Sequence, residues 1–258
     1  MRPMPSDFTE PKRRNNICSS DVRAVILAGG RGTRLRPLTA VFPKPLVPLG
    51  DKAVLEILLR RFQAHGFRKV TLCTGYLAEM IIMLCGNGER FGLEISYARE
   101  PEPLGTVGPL GLVEDLTDPF IVANGDLLTN MDFKRMLAYH LEKGADITIG
   151  TYPRDVKIDF GVVRTDDAGR FTGFSEKPQY HFEVSMGINI LGRSVLRHIP
   201  RGGYMDMPDL ILKVHREGGK VCCYREACFW LDIGRMDDYA LAQEEFQKNK
   251  DLFMDKPR

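Results

Sequence analysis

The sequence predicts an α/β fold: a mainly parallel sheet with helices on both faces. Three observations predict it. Short apolar, β-branched runs alternate with helical periodicity through the first half of the chain. The first of these runs opens directly into a glycine-rich loop. No stretch approaches the ~18 consecutive apolar residues of a membrane span, so the apolar residues must fill a core. With 43% hydrophobic and 27% charged residues in 258, wholesale disorder is excluded. At roughly 150 residues per domain, the length allows one large domain or two small ones. A chain of this size buries about three quarters of its unfolded surface.

Order is expected from Val22. The run Val22 to Leu27 is a buried strand, followed at once by Gly29-Gly30. Residues 53–65 read as a helix, because Leu55, Leu58, Leu59 and Phe62 fall on one face and Gly66 ends the segment. Lys69 to Thr74 is a strand and 77–85 a helix. Glu94 to Tyr97 is a short strand, and 106–116 is expected to be helical despite Pro109 and Gly111. Phe120 to Ala123 is a strand. Asp132 is the expected N-cap of a helix with Phe133, Met136, Leu137 and His140 on one face, closed by Gly144. Crossovers between such parallel strands should be right-handed.

The second half is more antiparallel in character. Asp146 to Tyr152, Phe160 to Thr165 and Arg170 to Ser175 are strand-like, the last two joined by a turn at Asp166 to Gly169. Met186 to Leu191 is a further strand. Ser194 is a candidate cap for a short helix, Asp206 to His215 a longer helix, Val221 to Tyr224 a strand, and 236–248 an exposed terminal helix. No firm linker divides the chain. Residues 21–250 are expected to form a single domain, with a disordered leader at 1–20 and a tail at 251–258.

Composition narrows the setting. The 36 basic and 34 acidic side chains leave a net charge of +2, which argues against nucleic acid, whose partners are usually strongly basic. Cys18, Cys73, Cys85, Cys222, Cys223 and Cys228 form no CxxC pair and no zinc spacing. They read as free thiols of a reducing compartment. No apolar signal segment is visible, so a soluble cytoplasmic protein is expected, with no membrane partner. His65, His140, His181, His198 and His215 occupy unrelated contexts and read as structural or exposed.

The chemistry concentrates in Leu27-Ala28-Gly29-Gly30-Arg31-Gly32-Thr33-Arg34. Glycines after a buried strand let backbone approach a ligand closely, and successive N–H groups make an anion site. Arg34 adds a forked donor suited to phosphate. The bland alternative is a tight turn with solvated arginines. A Walker A loop is excluded, because Gly-Lys-Ser/Thr is absent, and the GxGxxG fingerprint fails at Leu35. In Pro43-Lys44-Pro45, prolines on both sides stiffen the backbone around one ammonium. That arrangement suits a phosphate held in fixed geometry, against the alternative of a Pro-rich surface turn.

Together, GGRGTRLRPLT and PKPLVPLG resemble the signature of the nucleoside-diphosphate-sugar pyrophosphorylases, the sugar-1-phosphate nucleotidyltransferases, and the resemblance runs from about Val22 to Tyr239. It implies a Rossmann-like, GT-A-like nucleotidyltransferase domain. It also implies that an NTP and a sugar 1-phosphate react by in-line attack on the α-phosphorus, giving an NDP-sugar and pyrophosphate, with Mg²⁺ as cofactor. The implied nucleotide-binding residues are Leu27, Ala28, Gly29, Gly30, Gly32, Thr33, Glu100, Gly105 and Thr106. Arg34, Lys44, Asp126 and Asp232 are implied for catalysis, the two aspartates also for the metal. Gly161, Glu176, Lys177, Ser185 and Gly187 are implied for the sugar phosphate. Val184 to Asn189 departs from the family's usual Asn-Ala-Gly-Ile-Tyr at Ser185 and Met186, which leaves the sugar open.

The stretch Glu100 to Leu110 resembles that of GDP-mannose pyrophosphorylases. Where thymidylyl relatives carry a glutamine, Glu100 stands here. A carboxylate only accepts, so it suits the N1–H and amine of guanine and repels the carbonyls of uracil or thymine. GTP is therefore expected, with thymidylyl, uridylyl or cytidylyl transfer within the same family as the alternative. The motifs also resemble short heptose- and hexose-1-phosphate enzymes, and no hexapeptide repeat of a β-helix domain is visible. Two other functions fit the residues less well: a non-catalytic nucleotide-sugar-binding regulator, which would lack catalytic cations, and a glycosyltransferase, which would show Asp-x-Asp where Asn124-Gly125-Asp126 stands. A homo-oligomer is left open. Trp230 is expected to pack behind Asp232.

Overall fold

Seven strands make one twisted sheet in a computed structural model that describes residues 17–254. In chain order they are β1 (Arg23–Ala28), β2 (Lys69–Thr74), β3 (Glu94–Arg99), β4 (Phe120–Asn124), β5 (Ile147–Lys157), β6 (Gln179–Leu191) and β7 (Val221–Arg225). Their spatial order is β7-β5-β6-β4-β1-β2-β3. Only β6 runs against its neighbours β4 and β5; the remaining pairings are parallel. The helices are α1 (Val54–Ala64), α2 (Ala78–Cys85), α3 (Phe133–Lys143), α4 (Met207–Arg216), α5 (Met236–Lys248) and α6 (Lys250–Phe253).

Alternation along β1 explains the two layers. Ala24 and Ile26 join a core with Leu55, Phe62, Ile81 and Phe133, drawn from α1, α2 and α3. Val25 points the other way, into a core with Val122, Ile147, Leu191 and the α4 residues Leu210 and Val214. Phe62 stacks on Phe133, centroids 4.3 Å apart. The α3 boundaries follow the sequence: Asp132 accepts from Arg135 N at 3.0 Å, and Gly144 closes the helix at φ 56°. A third core gathers Leu35, Leu49, Leu231, Ile233, Phe246 and Phe253 beneath the loops of the first and last motifs.

Several expectations change. Residues 106–116 are not an α-helix; only Gly108–Leu112 forms a 3-10 turn. Pro109 has no N–H to donate, and the N–H groups of Val107 and Gly108 are spent on Met205 O, at 3.0 and 3.3 Å. Strands β5 and β6 run far beyond 146–152 and 186–191. Their outer halves, Arg154 to Lys157 and Gln179 to Glu183, pair with each other outside the core, and the apolar residues that alternate there, such as Val156 and Phe182, are exposed. Together with the hairpin Val162–Thr165 and Phe171–Ser175 they form a projecting arm.

The ends also differ. Ile17 packs on the first core, and Ser19–Asp21 is a 3-10 turn with Ser19 buried, so the last residues of the expected leader belong to the fold. Residues 1–16 of that leader lie outside the described residues. The expected tail begins inside α6, where Phe253 is fully buried. The short helix near Ser194 is a 3-10 turn, Arg193–His198, entered from Gly192 without a side-chain cap.

Candidate active site

The chain leaves β1 toward β2 on one side, while β4 lies on the other. Ligands of open α/β sheets sit at such a switch point, outside the carboxyl ends of the strands. Here the loop that follows β4 is locked onto the end of β1. Gly125 N donates to Leu27 O at 2.9 Å, and a β-carbon on Gly125 would lie 2.9 Å from that same oxygen. A cavity of about 370 Å³ opens above them, lined among others by Ala28, Gly29, Gly30, Lys44, Glu100 and Asp126.

Lys44 is the centre of its charge. The prolines hold it at the start of a 3-10 turn. Gly32, at φ 58°, packs so closely that a β-carbon there would meet the Lys44 side chain at 2.9 Å. Thr39 Oγ1 donates to Gly32 O at 2.7 Å and fixes the same contact. The Lys44 ammonium pairs with Asp126 and lies 3.8 Å from Asp232 Oδ1. Asp232 reaches this point because Trp230–Asp232 pairs with Leu127–Thr129, which places Asp232 opposite Leu127, next to Asp126. Burial, and then the neighbouring Asp126 charge, raise the Asp232 carboxyl above its ordinary value; Lys44 and Arg34 oppose the rise.

Gly32, Thr33 and Arg34 do not line the cavity. Gly32 acts on Lys44 from behind, Thr33 and Arg34 are exposed, and Arg34 contributes its field at Asp232.

Glu100 closes the opposite wall. A β-carbon on Gly29 would collide with Glu100 Oε1, so the glycine leaves room for this carboxyl. Glu100 Oε2 accepts from Leu104 N at 3.1 Å, and burial raises its carboxyl above the ordinary value. Gly105 sits at φ 79° under Met205 O. Thr106 is tied to the start of α4: its N–H donates to Asp206 Oδ1 at 3.0 Å, and its Oγ1 accepts from Met207 N at 2.6 Å.

A second cavity of about 470 Å³ adjoins the first and shares Leu27, Thr106 and Asn124 with it. Ser185 and Gly187 line it. Both belong to a bulge in β6, where the register to β5 slips between Ser185 and Asn189. Gly187, at φ 70°, faces the Asn124 side chain. Trp230 holds the bulge by donating Nε1–H to Met186 O at 2.9 Å, and it packs on Tyr152. Gly161, Glu176 and Lys177 lie together on the exposed arm and line neither cavity. A β-carbon on Gly161 would lie 3.2 Å from Glu176 Oε2.

Sequence reasoning missed Asn124, Tyr204, Asp206 and Asn189 as lining residues. Asn124 stood in a quoted motif, and Gly202-Gly203 before Tyr204 was a turn signal. Asn189 closed the quoted segment Val184 to Asn189 without being singled out.

Residues 23–249 match the family model described as nucleotidyl transferase. The UTP–glucose-1-phosphate uridylyltransferase of Synechocystis sp. is 35% identical, covering 84% of this chain and 61% of its own. The mannose-1-phosphate guanylyltransferase catalytic subunit beta of Danio rerio is 35% identical, covering 84% and 62%. The chain thus spans about three fifths of the length of these curated relatives. The crystal structure of HddC from Yersinia pseudotuberculosis matches with a TM-score of 0.68 at 27% identity, over 87% of this chain and 99% of that one. HddC has also been crystallised complexed with GMP-PN.

Proposed function

The chain belongs to the nucleotidyl transferase family, and from that premise we propose that it joins GTP to a sugar 1-phosphate and releases pyrophosphate. The observation that carries this reading is the convergence of Lys44, Asp126 and Asp232 at the switch point. Two anions must meet there, and a fixed ammonium lowers their repulsion more in the transition state than in free solution. A sugar-phosphate oxygen attacks the α-phosphorus in line, the new P–O bond forms, and the bond to pyrophosphate breaks. Positioning and charge neutralisation carry such reactions.

The donor set fits Mg²⁺. Asp126 Oδ1 and Asp232 Oδ1 are buried and accept no hydrogen bond. Among the described residues no group of three or more His, Cys, Asp or Glu forms a metal cluster, and Mg²⁺ is usually bound by one or two carboxylates plus phosphate oxygens and water. Asp126 and Asp232 would hold it, and it would supply charge at the phosphates. Lys44 would then turn from the carboxylates to the α-phosphate.

In this reading the first cavity takes the nucleotide, with Glu100 accepting from guanine, and the second takes the sugar. Lys177 and Glu176 would reach the sugar phosphate by closure of the arm. The relatives carry names for both guanylyl and uridylyl transfer, so the base rests on Glu100. Pyrophosphate release with GTP, UTP, dTTP and CTP tests it: GTP is expected to turn over fastest, and a clear preference for UTP or dTTP overturns the guanine reading. K44M is expected to lose ~10²–10³-fold in kcat; unchanged turnover overturns the site.

A further inference from the structure

Asn189 is 3% exposed, lines the second cavity, and keeps a buried Oδ1 with no hydrogen-bond partner. The register puts it in a row across three strands, between Val122 of β4 and Ile149 of β5. Two residues on, the same face carries Leu191 between Phe120 and Ile147, all within the second core. An apolar side chain at 189 would continue that core. A lone amide oxygen there destabilises the fold, because nothing replaces the water it gave up. Its two row partners also line the cavity, so the Asn189 side chain borders space that a ligand can fill. The wall opposite is apolar, formed by Met207, Ile211 and Leu212 of α4. Buried polar groups of this kind give a site its selectivity, since an analogue lacking the matching donor leaves them unpaired.

We infer that Asn189 determines which sugar is accepted, by taking a hydrogen bond from an O–H or acylamino N–H of the sugar while α4 covers the sugar's apolar face. This rests on the nucleotidyl transfer proposed above. The two cavities meet at Leu27, Thr106 and Asn124, so a sugar phosphate anchored near Lys44 extends its distal edge toward Asn189. The substrate class is a sugar 1-phosphate that pairs one donor with an apolar flank.

The test measures pyrophosphate release by wild type, N189L and N189D. The substrates are the preferred NTP with mannose, glucose, N-acetylglucosamine and heptose 1-phosphates, and monodeoxy analogues of the best among them. N189L removes the acceptor; N189D keeps one, as burial favours the neutral acid. Expected for N189L is a Tm equal to or above wild type, an unchanged KM for the NTP, and a loss of about ten- to a hundredfold in kcat/KM for the preferred sugar. One analogue should lose the same factor with wild type and N189D but not with N189L. A kcat/KM for N189L within about twofold of wild type overturns the inference, as does equal discrimination among analogues by wild type and N189L. Should N189L not fold, wild type decides alone: no analogue falling about tenfold overturns it. Wild type that binds NTP but turns over no sugar 1-phosphate overturns the functional reading itself.

Discussion

Glu100 carries a charge that depends on pH in this reading. Burial raises its carboxyl above the ordinary value, so the folded chain holds that proton more tightly than the unfolded one. Between the ordinary and the raised value the stability of the free protein therefore increases as pH falls. Affinity for GTP runs the other way, because the neutral acid is a poorer acceptor for two guanine donors. The expected result is a KM for GTP that rises on acidification, and a small contribution of Glu100 to Tm whose pH dependence is opposite to that of the affinity. E100Q should flatten both profiles relative to wild type; KM and thermal unfolding measured from pH 4 to 8 check it. Gly29 belongs with Glu100, because only a residue without a β-carbon leaves the carboxyl its place.

At the scale of elements, the bulge in β6 is the feature that shapes the sugar side. Ser185, Gly187 and Asn189 stand two apart and line one cavity, and the slip in register between Ser185 and Asn189 bends the strand at that wall. Trp230 Nε1 fixes the bulge from a neighbouring strand pair, which links this cavity wall to the three-residue strand Trp230–Asp232. W230F leaves Met186 O without its donor, at a cost of ~1–3 kcal/mol. It should raise the KM for sugar 1-phosphate while that for NTP stays near wild type, read by steady-state kinetics beside a melting curve. An equal rise in both constants would mean that Trp230 acts on the whole site. The arm is the contrasting element: its outer strands bury little, Phe160 and Phe171 are exposed, and low burial is the physical mark of a segment that opens at small cost.

For the whole molecule, stability and chemistry meet in the third core. Leu35, Leu231 and Ile233 lie there beside the residues that carry charge, and α5 and α6 close it with Phe246 and Phe253. Phe253 also meets Phe229 edge to face, centroids 5.2 Å apart. F253A should cost ~3–5 kcal/mol, the usual range for a fully buried phenylalanine, measured by urea unfolding. A loss under about 1 kcal/mol would mean that α6 does not support the fold.

The sequence by itself determined the parallel half of the sheet, because β1, β2, β4 and α1 to α3 are written in local apolar period and capping residues such as Asp132 and Gly144. It also determined the family, since GGRGTRLRPLT and PKPLVPLG hold in one stretch of chain the backbone freedom and the stiffened lysine that the site requires. The tertiary structure alone decided the rest. It alone set the outer halves of β5 and β6, whose exposed residues are ordered by pairing and not by burial. It placed Asp232 beside Asp126 through a strand pair too short to leave a periodic trace. It set Asn189 apart too, for the end of a quoted motif has no known neighbours until the register shows which side chains surround it.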